Sequence, residues 1–174
     1  MTKRGDQARL AMWPFGKSTI SAPAATAEFY EKITAAFEAR YPEILRLFHE
    51  AYDEVCPADE EIYMHVMPAV WALGIEPVQN IWGDEKFKRV RSEMIVKISQ
   101  SHAPMINFLT ERFLQHTKLL REGLKQGSAT YNSDHILRQL EAPHQPMTSI
   151  KLAGQLGMLV LPYWKELDQR YKLF

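Results

Sequence analysis

Apolar residues recur every three or four positions through most of this 174-residue chain, and this repeat constrains its fold more than any other feature. A spacing near 3.6 residues places apolar side chains on one face of an α-helix. Strict alternation of apolar and polar residues, which would indicate β-strands joined by tight turns, is not evident in the sequence. The pattern therefore predicts an all-α, single-domain helical bundle of five to seven helices.

The repeat begins near residue 27 and delimits the expected helices. Residues 1–26 are rich in glycine, proline and small residues and show no apolar period, so we expect a flexible N-terminal arm before a helical domain over residues 27–174. Glycine commonly follows the last turn of a helix, so Gly74 is the expected end of the second helix. The expected helices cover about residues 27–55, 58–73, 84–126, 133–140 and 148–174, with a connector over residues 74–83.

Prolines lie inside several of these segments, at Pro42, Pro68, Pro104 and Pro162. An internal proline removes one backbone hydrogen bond and either kinks or ends a helix. The apolar period keeps its phase across Pro42 and Pro104, which favours long helices kinked at proline. A break near Ser101, with Pro104 in the first turn of a new helix, stays open as the alternative.

The composition is that of one globular domain. Hydrophobic residues make up 46% of the chain, Lys+Arg and Asp+Glu number 21 each, and the mean hydropathy is −0.30. The longest apolar runs are far shorter than the ~20 residues that span a bilayer, so no membrane span is expected. The single cysteine, Cys56, cannot close an intrachain disulfide, and we expect a cytoplasmic protein.

The neutral total charge conceals two segments of opposite sign. Between Glu43 and Glu61, seven acidic residues accompany one basic residue, and between Lys86 and Lys97, five basic residues accompany one acidic residue. The run from Lys86 to Arg91 has the character of a nucleic-acid contact. The favoured interpretation is that the two segments face each other, either within the chain or between neighbouring copies.

A candidate metal site consists of His49, Asp53 and Cys56, whose spacings of four and three residues align them on one helix face. His65 in the next helix is a candidate fourth ligand. The simpler interpretation is an exposed His49–Asp53 pair beside a buried cysteine. His116 lies in an apolar stripe and is interpreted as a packed histidine rather than a haem ligand. No metal or cofactor is therefore expected.

The segment from Ala11 to Ser18 partly matches a phosphate-binding loop. In such a loop the backbone amides wrap a phosphate between a strand and a helix, but here Trp13, Pro14 and Phe15 occupy the loop interior. We interpret the match as chance. Trp13 and Phe15 are instead aromatic side chains of the arm that suit docking into a groove of this chain, a second copy or a partner.

The last helix carries two apolar stripes. Gly157 and Trp164 belong to one, and Leu152 and Leu156 belong to the other. A helix that is apolar over so much of its surface lies at the centre of a bundle or in the seam of an oligomer. Gly154 and Gly157 each cost about 1 kcal/mol relative to alanine within a helix, so we expect the close approach of another helix to offset that cost.

These observations favour a non-enzymatic interaction protein, such as an adaptor, regulator or inhibitor of another protein, which also self-associates. No nucleophile or acid–base motif has the sequence context that its chemistry requires. The expected partner contacts are Trp13, Phe15, Gly154, Gly157 and Trp164. The alternatives are a small-ligand or metal-binding protein that uses His49, Asp53 and Cys56, and a nucleic-acid contact through the run from Lys86 to Arg91.

Overall fold

The computed structural model describes residues 18–126 and 130–173, and within these ranges it confirms the all-α prediction. The helices are α1 (Ala22–Tyr52), α2 (Asp59–Trp82), α3 (Asp84–Ser101), α4 (Ile106–Gln126), α5 (Tyr131–Gln139) and α6 (Pro146–Arg170). Short 3₁₀ turns cover Asp53–Val55 and Ala103–Met105. Two three-residue strands, β1 (Ser18–Ile20) and β2 (Tyr171–Leu173), pair in parallel and join the beginning of this range to its end.

The central helix is α2, which packs against α1, α3, α4, α5 and α6. Most of its residues from Ile62 to Val78 are buried, and Trp71 is completely enclosed. The indole Nε1 of Trp71 donates a 3.1 Å hydrogen bond to the Thr34 hydroxyl of α1, which satisfies the polar atom of this large ring. The expectation that the last helix forms the centre is wrong, because α6 buries one of its apolar stripes and exposes part of the other.

Helix α1 begins at Ala22, five residues before the start expected from the apolar repeat. The Ser21 hydroxyl accepts a 3.4 Å hydrogen bond from the Ala24 N–H, and Pro23 occupies the first turn, where a missing N–H costs nothing. Ala22 and Ala25 are buried, but alanine is a weak hydrophobic signal, so the repeat did not reveal this turn.

The connector expected over residues 74–83 is wrong, because these residues form the second part of α2. The helix passes through Gly74 and Pro77 and ends at Trp82. Gly83, with a φ of 88°, then adopts a conformation that favours glycine. Gly74 does not end the helix but lies against the Phe29 ring of α1. This ring fills the space that a side chain at position 74 would need.

Three of the four prolines singled out in the sequence lie inside continuous helices: Pro42 in α1, Pro68 in α2 and Pro162 in α6. The fourth, Pro104, lies in the 3₁₀ turn between α3 and α4. Helix α3 ends at Ser101, so the alternative of a break at this point is confirmed. Phase continuity of the apolar repeat therefore does not distinguish a continuous helix from two helices joined by one short turn.

The two charged segments lie at opposite ends of the bundle. The acidic segment joins the end of α1 to the beginning of α2, and the basic segment follows the end of α2. Because the acidic segment ends at Glu61 and α2 extends to Trp82, about 30 Å of helix separates them. Lys88 and Arg89 of the basic segment lie beside Ser21 and Ala22, at the N-terminus of α1. The two segments therefore do not face each other within the chain, and of the expected arrangements only contact between copies stays a prediction.

Candidate interaction surface

Helix α6 turns one apolar stripe towards the core. Leu152, Leu156 and Leu159 are at most 3% exposed, and their spacings of four and three residues place them on one face. The helix packs against α1, α2 and α5. This stripe supplies the burial that holds α6 on the bundle.

The opposite face of α6 is apolar and open to solvent. Met147, Ile150 and Met158 are 62%, 55% and 55% exposed, and Gly154 is exposed between them. Positions 147, 150, 154 and 158 are spaced by three or four residues and so form a single stripe along the helix. We call this stripe the outer face of α6. Exposed apolar side chains that form a continuous stripe, rather than standing singly, are typical of interaction surfaces.

The two glycines of α6 meet no neighbouring helix among the described residues. A Cβ placed on Gly154 or on Gly157 would have no heavy atom of another element within 4 Å. Among the described residues, no helix of the chain therefore supplies the close approach expected at these glycines, and approach by a helix of a second copy or a partner stays a prediction. Since both lack side chains, the middle of the outer face is a shallow surface that a second helix can approach closely.

Helix α6 runs antiparallel to α1, from the acidic end of the bundle to its basic end. Just before α6 begins, the Gln145 side-chain amide donates a 2.8 Å hydrogen bond to the Ala51 carbonyl at the end of α1. Near the end of α6, Glu166 accepts a 3.1 Å hydrogen bond from Lys32, in the first half of α1. The outer face therefore extends along the axis that connects the two charged ends.

The other predicted partner contacts are outside what the structure describes. Trp13 and Phe15 precede the first described residue, and of Trp164 only the backbone is described, within α6. Gly154 and Gly157 are thus the predicted contacts that have a defined setting. Their role in binding a partner stays a prediction.

The candidate metal ligands do not share one helix face. Helix α1 ends at Tyr52, and Asp53 takes a φ of 42° as it begins the 3₁₀ turn. His49 Nε2 lies 2.8 Å from Asp59 Oδ1, and burial together with the Asp59 charge raises the pKa of the Cys56 thiol. Within residues 18–126 and 130–173 no group of three or more His, Cys, Asp or Glu side chains is arranged to hold a metal ion.

The predicted nucleic-acid run does not present a single face. Lys88 and Arg89 line a depression of about 490 Å³ between α3 and the N-terminus of α1, and Lys88 pairs with Glu85 at 2.7 Å. Arg91 turns towards α4, with its guanidinium 6.0 Å from the centre of the Phe87 ring. The run is thus divided between two surfaces of α3.

A cluster of histidines lies between α2, α4 and α5, and of its members the sequence pattern indicated His65 and His116 but not His135. His116 is 1% exposed, its Nδ1 is hydrogen-bonded to the Asn132 side-chain oxygen, and its ring centre lies 5.4 Å from that of His135. His65 is 6% exposed and packs its ring edge-on against Phe108. Asn132 and His135 share a face of α5 at a spacing of three, which was the available sequence signal.

Burial keeps these histidines neutral. It lowers the pKa of His116 to about 3, an effect that the hydrogen bond donated by His116 to the Asn132 side-chain oxygen partly opposes and that His135 and Arg112 strengthen. Burial, followed by the charge of Arg112 and by the repulsion that a protonated His135 would add, lowers the pKa of His65 to about 4. The pKa of His135 is also lowered, by burial and then by Arg138 and Arg112.

The comparisons with known proteins gave no family, curated protein or solved structure that matches this chain. In the described part of the chain, no helix is both long enough and apolar enough to cross a membrane.

Proposed function

We propose that this chain is a non-enzymatic helical interaction module that self-associates through the outer face of α6. The observation that carries the proposal is the exposed stripe of Met147, Ile150 and Met158 around Gly154. Solvation of this stripe is unfavourable by roughly 25 cal/mol per Å² of apolar surface, so covering it with a second apolar surface stabilises an assembly.

The stripe is complementary to itself when two copies of α6 cross in antiparallel orientation at Gly154. Ile150 and Met158 lie four residues on either side of Gly154. A two-fold axis at Gly154 therefore places Ile150 opposite the partner's Met158, and Met158 opposite the partner's Ile150. The bare glycine surface at the crossing point permits a short distance between the helices.

Charge favours the same orientation. Because α6 runs from the acidic end of the bundle to the basic end, an antiparallel pair that crosses at Gly154 brings the acidic end of each copy to within about 12 Å, along the helix axis, of the basic end of the other copy. A parallel pair would bring like charges together. This arrangement also provides the contact between copies that the opposed charged segments of the sequence predict.

The first test compares charge substitutions on and off the outer face. Light scattering after size exclusion is expected to show a dimer for the wild type, and Ile150→Glu or Met158→Glu is expected to weaken dimerisation by about a hundredfold or more, since each buries a carboxylate against apolar side chains. Leu114→Glu, at a 38% exposed site on α4 outside both charged segments, is the matched control and is expected to leave the dimer intact. A wild type that stays monomeric at about 100 µM, or a dimer that Leu114→Glu disrupts equally, would contradict the proposal.

The second test examines orientation by disulfide formation in a Cys56→Ser background. Gly154→Cys is expected to cross-link the dimer under mild oxidation, because residue 154 lies beside its own counterpart at the two-fold axis. Met147→Cys is the control, since it lies seven residues, or about 10 Å, from the axis and its counterpart lies a similar distance beyond the axis. Equal cross-linking by both variants would indicate a parallel pair and would contradict the antiparallel arrangement.

A further inference from the structure

A basic pocket lies between α3 and α4, with a volume of about 410 Å³. Arg91 of α3 lines one side, and Lys118, Arg121 and Glu122 of α4 line the other, together with Thr117. Its size falls within the range of small-ligand sites in proteins. Because α6 packs against α1, α2 and α5, this pocket is separate from the outer face of α6.

Stacking on a buried ring orients both arginines of this pocket. Phe87 is 2% exposed, and the guanidinium carbons of Arg121 and Arg91 lie 4.6 Å and 6.0 Å from its ring centre. Stacking restricts the conformations of the two side chains while their N–H groups stay available for planar, bidentate hydrogen bonding. A ligand that binds here therefore meets donors whose orientation is already defined.

The residues that line the pocket carry an excess of positive charge. Arg91, Lys118 and Arg121 stand against one lining carboxylate, that of Glu122, which leaves a net charge of +2. The Nε of Arg121 is buried and has no hydrogen-bond partner among the described residues. Glu76 lies near enough for Arg121 to lower its pKa, although burial raises that pKa overall. Because the Nε is buried, only the terminal N–H groups of the Arg121 guanidinium are counted as donors to a ligand in the pocket.

We propose that this pocket binds a phosphate-bearing small molecule. A phosphomonoester carries a charge of about −1.5 to −2 at neutral pH and three strong acceptor oxygens, which match the excess charge and the oriented donors. Arg121 and Arg91 hold the phosphate through charge-assisted hydrogen bonds, and Lys118 adds a point charge at the rim. The Thr117 hydroxyl donates to the Leu114 carbonyl and is therefore not counted among the phosphate donors.

The test uses inorganic phosphate and pyrophosphate as probes, with titration calorimetry and thermal melting at constant ionic strength. Both anions are expected to bind and to raise Tm. Chloride at the same ionic strength is expected to do neither. Arg121→Gln and Arg91→Gln are each expected to weaken binding by about tenfold, because each removes charge-assisted hydrogen bonds. Arg89→Gln is the control: it removes the same charge from α3 but lines the other depression, and it is expected to change affinity by less than about twofold.

Two results would overturn the proposal. One is the absence of binding by either anion at about 10 mM, which would leave the pocket without phosphate affinity. The other is an equal loss with Arg89→Gln and Arg121→Gln, which would show general charge attraction instead of a site. Duplex DNA that binds while both small anions fail would equally reject a small-molecule site. Arg91→Gln, at the arginine that lies farther from the buried Phe87 ring, keeps the test decisive if Arg121→Gln disturbs folding. Monomeric Ile150→Glu protein is expected to bind phosphate unchanged, so this test is independent of the proposed self-association.

Discussion

Acidification from pH 7.5 to pH 5 is expected to lower the free energy of unfolding by about 4 kcal/mol, and His65 and His116 are the cause. In the folded chain burial lowers the pKa of His116 to about 3 and that of His65 to about 4. In the unfolded chain both side chains regain the ordinary histidine pKa of about 6.5. Since typical domains have only about 5–15 kcal/mol of stability, this loss is a large share of the total.

The sign follows from which state binds protons. Below about pH 6.5 the unfolded chain takes up protons that the folded chain excludes until about pH 4 for His65 and about pH 3 for His116. The stabilisation that the two neutral histidines provide is therefore complete above about pH 6.5. It decreases as the pH falls from about 6.5 towards the lower pKa values of the folded chain. Among the described residues no carboxylate is a cause of the pKa shift of His65 or His116, whereas Arg112 opposes protonation of both. A proton on either ring would thus add a cation beside an existing one.

Thermal or urea unfolding between pH 7.5 and pH 5 measures this effect. His116→Gln retains a polar group for Asn132 but cannot titrate, so it is expected to remove about half of the pH dependence. His49→Gln is the control, because that side chain is 52% exposed and lies outside the cluster. A stability that stays constant down to pH 5 would show that the two histidines accept protons without loss of the fold.

Two glycine-to-alanine substitutions in helices are expected to change stability in opposite directions. Gly74→Ala should destabilise the chain by about 2 kcal/mol or more, because its methyl group would overlap the buried Phe29 ring where α1 and α2 meet. Gly154→Ala should stabilise it by about 0.5–1 kcal/mol, because alanine favours helix and its methyl group meets no neighbouring atom.

Urea unfolding in an Ile150→Glu background measures both changes without a contribution from dimerisation. Gly157→Ala provides a second stabilising comparison, since its added methyl group also has open space. The same sign of change at positions 74 and 154 would contradict the assigned packing. It would mean that helix propensity, and not contact with Phe29, dominates at Gly74.

The candidate surface on α6 was predictable from the sequence only in part. The two apolar stripes are visible in the sequence, and they leave a bundle centre and an oligomer seam as alternatives. Leu152, Leu156 and Leu159 are buried in the core, because the face of α6 that carries them packs against α1, α2 and α5. Met147 and Met158 of the outer face belong to neither predicted stripe, and Val160 of the stripe that contains Gly157 is buried. Only the packing of other helices decides which apolar side chains of the last helix are buried.

The histidine cluster shows a different limit. His65, His116 and His135 come from three helices and lie far apart in the sequence, so no local spacing relates them. The basic pocket has the same origin, since Arg91 and Arg121 meet across Phe87 only when α3 folds back on α4. Contacts of this kind depend on how the helices are arranged and not on the content of any one helix.

The sequence by itself determined the helical class and most of the helices, because a 3.6-residue apolar repeat is a local property that each segment carries alone. Tertiary structure decided where local signals conflicted with packing. Gly74 and Pro77 together indicate an end, yet α2 continues through both, since burial at the centre of the bundle outweighs the helix propensity lost at single residues. The tertiary structure likewise placed the acidic and basic segments at opposite ends, because the length of α2 sets the distance between them.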